Sequence, residues 1–381
     1  MLRSSPRLRN KAQVNPKPGP IPVTVLSGFL GSGKTTLLSH LLHNRSNQRI
    51  GVVVNDMAEL NVDVNRVRAQ STLIDGKDML VEMSNGCICC TLRPQFVESL
   101  TEIARKNSVD YIIIESTGIS EPLPVAVALA EDDNLQTLVK LDTLVTVVDA
   151  ETFLNDLEST QKAVERREMG AEKDDNRMIV DLLIDQIETA NIILLNKVDR
   201  VKKHHMGTLR SIISHMNPTA EIRETTYSKV EPSFVLNSGR FNLDEARGMK
   251  FWSEETEELK NPSGSKLPES EEYGISSFVY RSDRPFDDDK IQDIIDEGLE
   301  GVIRSKGIVW MKNDPEKVTV WSHAGASMIL EDGPSWEEEG NTPRQELVII
   351  GVDMDTDSIR KTFDDALWNE AQKKKKKKRM C

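Results

Sequence analysis

The sequence predicts an α/β protein in which a mostly parallel sheet wrapped by helices precedes a smaller α+β domain. Three observations predict it. Short apolar runs near residues 23, 52, 111, 144 and 191 alternate with helical segments, and continuous apolar runs mark strands buried on both faces. The first run is followed at once by a Gly-rich loop of phosphate-binding pattern. Across residues 253–272 the chain turns acidic, with Pro, Gly and Ser and few apolar anchors, and a fresh set of strand and helix patterns follows.

The first strand is Val23 to Leu26, and the loop behind it, Gly28 to Thr35, reads G-F-L-G-S-G-K-T. This fills every position of the P-loop pattern G-x-x-x-x-G-K-[ST], between a strand and a helix as the mechanism requires. Gly28, Gly31 and Gly33 allow the backbone to curl so that successive N–H groups face phosphate oxygens. Lys34 reaches the β- and γ-phosphates, and the Thr35 hydroxyl is a ligand for Mg²⁺. Leu37, Leu38, Leu41 and Leu42 then fall at helical spacing. A Gly-rich turn that binds nothing is the alternative, and the complete motif in this context argues against it. A P-loop NTPase is expected.

The strand Val109 to Ile114 ends in Glu115-Ser-Thr-Gly118. A carboxylate at that strand end suits the Mg²⁺ side of the site, acting through water. Gly118 can bring a backbone N–H to the γ-phosphate. A strand that simply ends in Glu is the bland reading. The run Leu144 to Val148 ends at Asp149, and Asn191 to Leu195 ends in Asn196-Lys197-Val198-Asp199. Asp199 can accept two hydrogen bonds from the guanine N1–H and exocyclic amine, a donor pair that adenine lacks. Asn196 can contact the base edge, and Lys197 can pack on the ring or brace the P-loop. GTP is therefore preferred over ATP, and an ATP-dependent kinase or synthetase is disfavoured. The nucleotide belongs beyond the carboxyl ends of the strands.

Of the four cysteines, three fall in Cys87-Ile-Cys89-Cys90, behind Ser84-Asn-Gly86, and the fourth is Cys381. With no secretory signal to suggest an oxidising compartment, clustered thiols favour a soft metal, Zn²⁺ or Cu⁺. A redox pair and buried structural thiols are the competing readings. The fourth ligand would come from a carboxylate or a histidine elsewhere. The cluster lies between the P-loop and Glu115, in the part of a GTPase that changes shape with the γ-phosphate, so metal binding can be gated by hydrolysis.

Taken in order, G-F-L-G-S-G-K-T-T, N-G-C-I-C-C, I-I-E-S-T-G and N-K-V-D resemble the CobW family of metal-trafficking GTPases, relatives of HypB and UreG. The resemblance extends through Tyr273 to Arg281, Arg284-Pro285-Phe286, Arg304 to Gly307, Trp321 to Gly325 and Arg344 to Gly351, and covers about residues 20 to 370. It implies a slow GTPase that binds zinc or a related metal such as cobalt and delivers it to a metal-dependent client protein. By motif match, Gly28, Gly31, Ser32, Gly33, Lys34, Thr35 and Thr36 would hold phosphate and Mg²⁺. Cys87, Cys89 and Cys90 would hold zinc, Glu115 would serve Mg²⁺, and Asn196, Lys197 and Asp199 would hold guanine. Two departures are visible. The family's N-E-F-G-E is here Asn55-Asp56-Met57-Ala58-Glu59, which leaves Asp56 and Glu59 as water-positioning or auxiliary metal ligands. The His-rich interdomain tract of many relatives is missing, and with six histidines in all, His204-His205 reads as a solvated helix start.

Domain spans follow: a disordered basic arm over 1–20, the P-loop domain over 21–237, an acidic linker over 238–272, a C-terminal domain over 273–371 and a basic tail over 372–381. In the C-terminal domain, strands are expected at Ser276 to Tyr280 and Leu347 to Gly351, and helices at Asp289 to Leu299 and Ile359 to Trp368. Asp332 to Thr342 reads as an exposed insertion, and His323 as a packed or exposed residue rather than a ligand. A formal net charge of −13 argues against nucleic acid as the main partner, and no apolar stretch is long enough for a membrane span. The expected setting is cytoplasmic. Nuclear access is open through the run Lys373 to Arg379, organelle targeting is disfavoured, and a homo-oligomer stays possible.

Overall fold

The computed structural model describes residues 19–44, 48–56, 79–84, 93–106, 108–166, 175–243, 274–337 and 342–369. Strands β1 (Ile21–Ser27), β2 (Ile50–Asp56), β3 (Met79–Ser84), β4 (Tyr111–Glu115), β5 (Val139–Asp149), β6 (Ile192–Asn196) and β7 (Glu221–Glu224) form one parallel sheet of order β3-β2-β4-β1-β5-β6-β7. β4 and β6 are buried along their whole length, as strands covered on both faces must be. Helices α1 (Lys34–His43), α2 (Arg93–Arg105), α3 (Pro122–Glu131), α4 (Asp133–Gln136), α5 (Phe153–Leu157), α6 (Ile179–Glu188), α7 (Lys203–Met216) and α8 (Pro232–Val235) connect them.

Alternation along the strands sorts the core into layers. Leu26, Val52, Ile113, Val147 and Leu194 pack with the α1 leucines on one face. Val23, Val25, Ile112 and Ile114 face α2 and α3 on the other, where Ile193 and Leu195 meet α6 and α7. The sequence predicted β1, β2, β4, β5 and β6. It missed β3 and β7, which occupy the two edges of the sheet. His204 and His205 sit exposed at the start of α7, as expected.

The C-terminal domain is a five-stranded antiparallel sheet of order β11-β10-β9-β12-β8. Its strands are β8 (Ile275–Ser282), β9 (Val302–Val309), β10 (Lys317–Ala324), β11 (Ser327–Ser335) and β12 (Gln345–Val352). Helices α9 (Asp288–Glu297) and α10 (Thr356–Ala366) bury Ile291, Ile294, Ile359 and Phe363 against Trp321, Leu347 and Ile349. The α+β class holds, but the predicted insertion does not begin at Asp332. Residues 332–335 are strand, pairing with β10, and Trp336 behind them is buried. His323 is packed. Ser305 Oγ and the Gly325 carbonyl lie 3.2 and 2.8 Å from its two ring nitrogens, and burial pushes it down to about 4.

The two sheets meet across α6. Arg304 of β9 forks onto Glu188, with Nε to Oε1 at 2.7 Å and Nη2 to Oε2 at 3.1 Å, and Lys306 adds a 3.2 Å contact. Burial pushes the Glu188 carboxyl up, but the two cations outweigh it and hold the group below the usual carboxylate range. Ser327 donates to Asp181 at 2.9 Å, and Ala324 and Ile275 join the core around α6. No helix among the described residues is long and apolar enough to cross a membrane.

Candidate functional site

β1 lies between β4 and β5 in the sheet, so the loop leaving it opens at the sheet's carboxyl edge. Glycine is required there twice over. Gly28 has φ 132°, and a Cβ on it would stand 2.2 Å from the Val147 carbonyl oxygen. Gly33 has φ 116°, caps α1, and would press a Cβ to within 2.4 Å of Asn196 Nδ2. Gly31 is also left-handed, in open space. Lys34 is 8% exposed and donates to the carbonyls of Gly28 and Phe29 at 2.7 and 3.1 Å. Its ammonium therefore rests on the rim of its own loop. The Ser32 hydroxyl is buried with no hydrogen-bond partner among the described residues, a group that a phosphate oxygen would satisfy. Thr36 is exposed on the first turn of α1.

Thr35 and Glu115 come together as the sequence suggested. Leu26 pairs with Glu115 in the β1–β4 register, and Thr35 donates to Glu115 Oε1 at 2.7 Å. A hydroxyl and a carboxylate are hard oxygen donors, the set that Mg²⁺ prefers, so these residues fit that ion. Past Glu115, the Ser116 hydroxyl donates to the Leu26 carbonyl at 3.0 Å. Gly118 then lies so close to the P-loop that a Cβ would be 2.7 Å from the Leu30 nitrogen. Gln186 of α6 holds this loop from behind, donating from Nε2 to the carbonyls of Gly118 and Ser120, both at 3.1 Å.

At the base end the structure revises the reading of Lys197 and adds partners to that of Asn196. Asn196 is buried, and its amide is engaged by the protein on both atoms. Its Nδ2 donates to the Ser32 carbonyl at 2.8 Å, and its Oδ1 accepts from Ser228 N at 2.8 Å and Thr225 Oγ1 at 3.2 Å. One buried amide thus ties together the P-loop, β6 and the turn after β7. Lys197, with φ 64°, turns its ammonium onto Asp149, to which it is hydrogen-bonded, rather than onto the P-loop. Asp199 stands exposed in the following turn, open to a base.

Thr225, Ser228 and Asp149 are site residues that sequence reasoning passed over as functional. Ser228 also donates from its hydroxyl to the Gly33 carbonyl at 3.0 Å, and with Tyr227 it forms two consecutive left-handed non-glycine residues. Backbone strain of this kind collects at binding sites. Asp149 was visible as an acid ending a strand, but its partner lies 48 residues away.

Cys87, Cys89, Cys90 and Glu59 lie outside the described residues. The backbone leading to them does not. β3 ends at Ser84, which pairs in register with Asp56 at the end of β2, and Val54 of β2 pairs with Glu115. The Asp56 backbone and the approach to the cysteines therefore leave the sheet at the same edge as the P-loop.

The base-end geometry carries a direct expectation. GTP should compete far better than ATP for the purified protein, by on the order of 10²-fold or more, because an unsatisfied carboxylate beside adenine is costly. Asp199→Ala should erase most of that ratio while leaving triphosphate binding itself in place. Equal affinities in the unmutated protein, measured by competition against a fluorescent nucleotide, would remove the guanine assignment.

The CobW/HypB/UreG nucleotide-binding domain matches residues 22–224, and the cobalamin synthesis protein cobW C-terminal domain matches residues 275–367. A Dictyostelium discoideum relative, zinc-regulated GTPase metalloprotein activator 1, is 38% identical across 92% of this chain and 81% of its own. The zinc chaperone CobW of a Sinorhizobium species is 29% identical across 90% of this chain and 96% of its own. The zinc-bound YjiA GTPase from Escherichia coli, a solved structure, covers 92% of this chain and 99% of its own, with 20% identity and a TM-score of 0.43. The chain belongs to the CobW/HypB/UreG family of P-loop GTPases.

Proposed function

From that membership we propose that the protein is a GTP-hydrolysing zinc metallochaperone. It would load metal on Cys87, Cys89 and Cys90 and release it to a client under control of the nucleotide. The observation that carries this reading is the shared strand edge. The P-loop, the Thr35–Glu115 pair and the Gly118 loop lie at the same carboxyl edge of the sheet at which β2 and β3 end, and β3, the edge strand, ends three residues before Cys87. A change at the γ-phosphate would have to pass across β4 and β2 to reach the strand that leads to the thiols, and the switch movement of a GTPase is the means this reading assigns to it. Support also comes from two relatives whose names couple zinc to a GTPase or a chaperone role.

In this reading the P-loop backbone and Lys34 grip the β- and γ-phosphates. Thr35 would hold magnesium with Glu115 on its far side, and the ion would supply charge neutralisation when bound. Gly118 donates a backbone N–H toward the γ-phosphate, so its loop moves when that phosphate leaves. The relaxed loop changes the spacing of the three thiolates, and zinc, the cargo, passes to a client that rests partly on the C-terminal domain. The sequence assigns no arginine as a finger, and Arg166, whose guanidinium stands 5.6 Å over the ring of P-loop residue Phe29, is paired with Asp156 at 2.8 Å, so unassisted turnover is expected at about 10⁻⁴ to 10⁻² s⁻¹.

Coupling between the sites is reciprocal, which makes the test sharp. Zinc affinity, measured by competition with a chelator, should differ by about 5- to 150-fold between the GTP and GDP forms. Zinc must then shift the preference for GTP over GDP by the same factor. Identical zinc affinity in the GTP, GDP and nucleotide-free states would reduce the cysteines to a structural or redox cluster and the protein to a GTP-regulated interaction module.

A further inference from the structure

Helix α6 is bonded at two neighbouring positions to two different parts of the molecule. Gln186, 1% exposed, spends both hydrogens of its amide nitrogen on the carbonyls of Gly118 and Ser120. Its own backbone carbonyl accepts from Thr146 Oγ1 at 2.6 Å, which fixes this turn of the helix to β5. Two residues later Glu188 holds the Arg304 guanidinium, itself only 2% exposed, in a two-pronged contact with the second domain. The remaining Arg304 donor, Nη1, reaches Ser322 Oγ and the His323 carbonyl at 3.0 and 3.1 Å, so the guanidinium is clasped by β10 as well.

Two further contacts run along the same line. Arg177, just before α6, pairs at 2.8 Å with Glu121, which follows the Gly118 loop and caps α3. On the other side, Gly325 between β10 and β11 comes so near that a Cβ would lie 2.6 Å from the Leu157 carbonyl and 3.1 Å from Val180. The C-terminal domain and the loop beside the P-loop therefore hold the same ten-residue helix.

We propose that Gln186 is a positioning residue for GTP hydrolysis, and that through Glu188 and Arg304 it makes turnover respond to the placement of the C-terminal domain. The physical argument is the stiffness of the parts. Gln186 and Glu188 lie on one helix, about 3 Å apart along its axis, and cannot move independently. Arg304 cannot let go of Glu188 without giving up the two-pronged contact that holds both buried charges, and Lys306, on the same strand, also bonds Glu188, so a displaced domain draws the helix with it. Gly118 cannot shift against α6 without breaking the bonds to the Gly118 and Ser120 carbonyls, the second of them buried, or dragging Gln186. A client seated on the C-terminal domain would thereby set where the Gly118 N–H stands, and the nucleotide state would in turn bias the domain. The inference rests on the reading that Gly118 faces the γ-phosphate.

The test uses the full-length chain with GTP turnover and nucleotide affinity as separate readouts. Gln186→Leu, which keeps the side chain's bulk but no donor, should lower kcat by about 2- to 30-fold while GDP affinity stays within about twofold. Arg304→Lys, remote from any nucleotide, should move kcat in the same range with GDP affinity equally unchanged. The double variant should show less than the product of the two effects, since both act through one helix. If Arg304→Lys does not fold, Lys306→Ala loosens Glu188 more gently and takes its place in the cycle.

Normal kcat in Gln186→Leu, or single effects that multiply without interaction, would overturn the proposal. Equal losses in kcat and GDP affinity would overturn it too, by marking a damaged pocket. Gly118→Ala checks the underlying reading separately. It should weaken a non-hydrolysable GTP analogue more than GDP, and equal weakening would refute the γ-phosphate contact whatever the Gln186 result.

Discussion

Lys34→Ala should abolish measurable GTP turnover, by on the order of 10²- to 10³-fold or more, in a protein that still folds. Lys34 is the only cation between Gly28 and Thr36, and its ammonium already lies within the loop, 2.7 Å from the Gly28 carbonyl oxygen. A triphosphate entering the cradle offers a stronger acceptor than either carbonyl, so the side chain has only to swing off the rim. In an apolar-backed pocket such a charge is worth far more at the transition state than in water. Substitution costs the folded state two hydrogen bonds to loop carbonyls, about 1–3 kcal/mol in all, which this core tolerates. Phosphate release, with a thermal melt as control, checks the prediction. Turnover retained in a folded variant would place the chemistry elsewhere.

The same loop shows how far a sequence can be read. The P-loop, β1, β4 and β6 were legible because local chemistry dictates them: glycines where φ must be positive, and apolar runs where both faces are covered. Edge strands carry no such mark. β7 is four residues, Glu-Ile-Arg-Glu, partly or fully exposed, and nothing in that run demands a strand. β9 (Val-Ile-Arg-Ser-Lys-Gly-Ile-Val) breaks its alternation with Arg304 and Lys306, the two residues that reach across to Glu188. That ion pair spans 116 residues, so no local pattern announces it.

Asn196 shows what the sequence leaves out. An amide with donors and acceptors suits a base edge as well as a backbone carbonyl, and the choice depends on which loops the fold brings near. Here the Ser32 carbonyl and the Ser228 N–H come first. We propose that its part in nucleotide binding runs at least partly through the P-loop it braces, and that Asp199, exposed in the next turn, is the residue that reads the base. That predicts a division of labour in which Asp199 sets preference and Asn196 sets the rigidity of the phosphate cradle.

Replacing Cys87, Cys89 and Cys90 together by Ser should remove stoichiometric zinc from the purified protein while GTP binding changes little. Serine keeps the shape of cysteine but not its chemistry. A thiol of ordinary pKa, ~8.5, deprotonates readily when Zn²⁺ displaces its proton, whereas a serine hydroxyl offers a neutral, hard oxygen that zinc holds weakly. Among the described residues, the candidate GTP site is built on β1, α1 and the turns around Asn196 and Ser228, which hydrogen-bond to one another, so the cradle is expected to outlast the substitutions. The pH dependence has a fixed sign. Each proton that must leave a thiol makes zinc affinity fall as pH drops below that pKa, so loading should be stronger at pH 8 than at pH 6.5. Metal content by elemental analysis and GTP binding by titration read the two halves independently. A triple variant that keeps one zinc per chain would show that the metal sits on other ligands, and a triple variant that loses GTP along with zinc would show that the cysteines hold the fold.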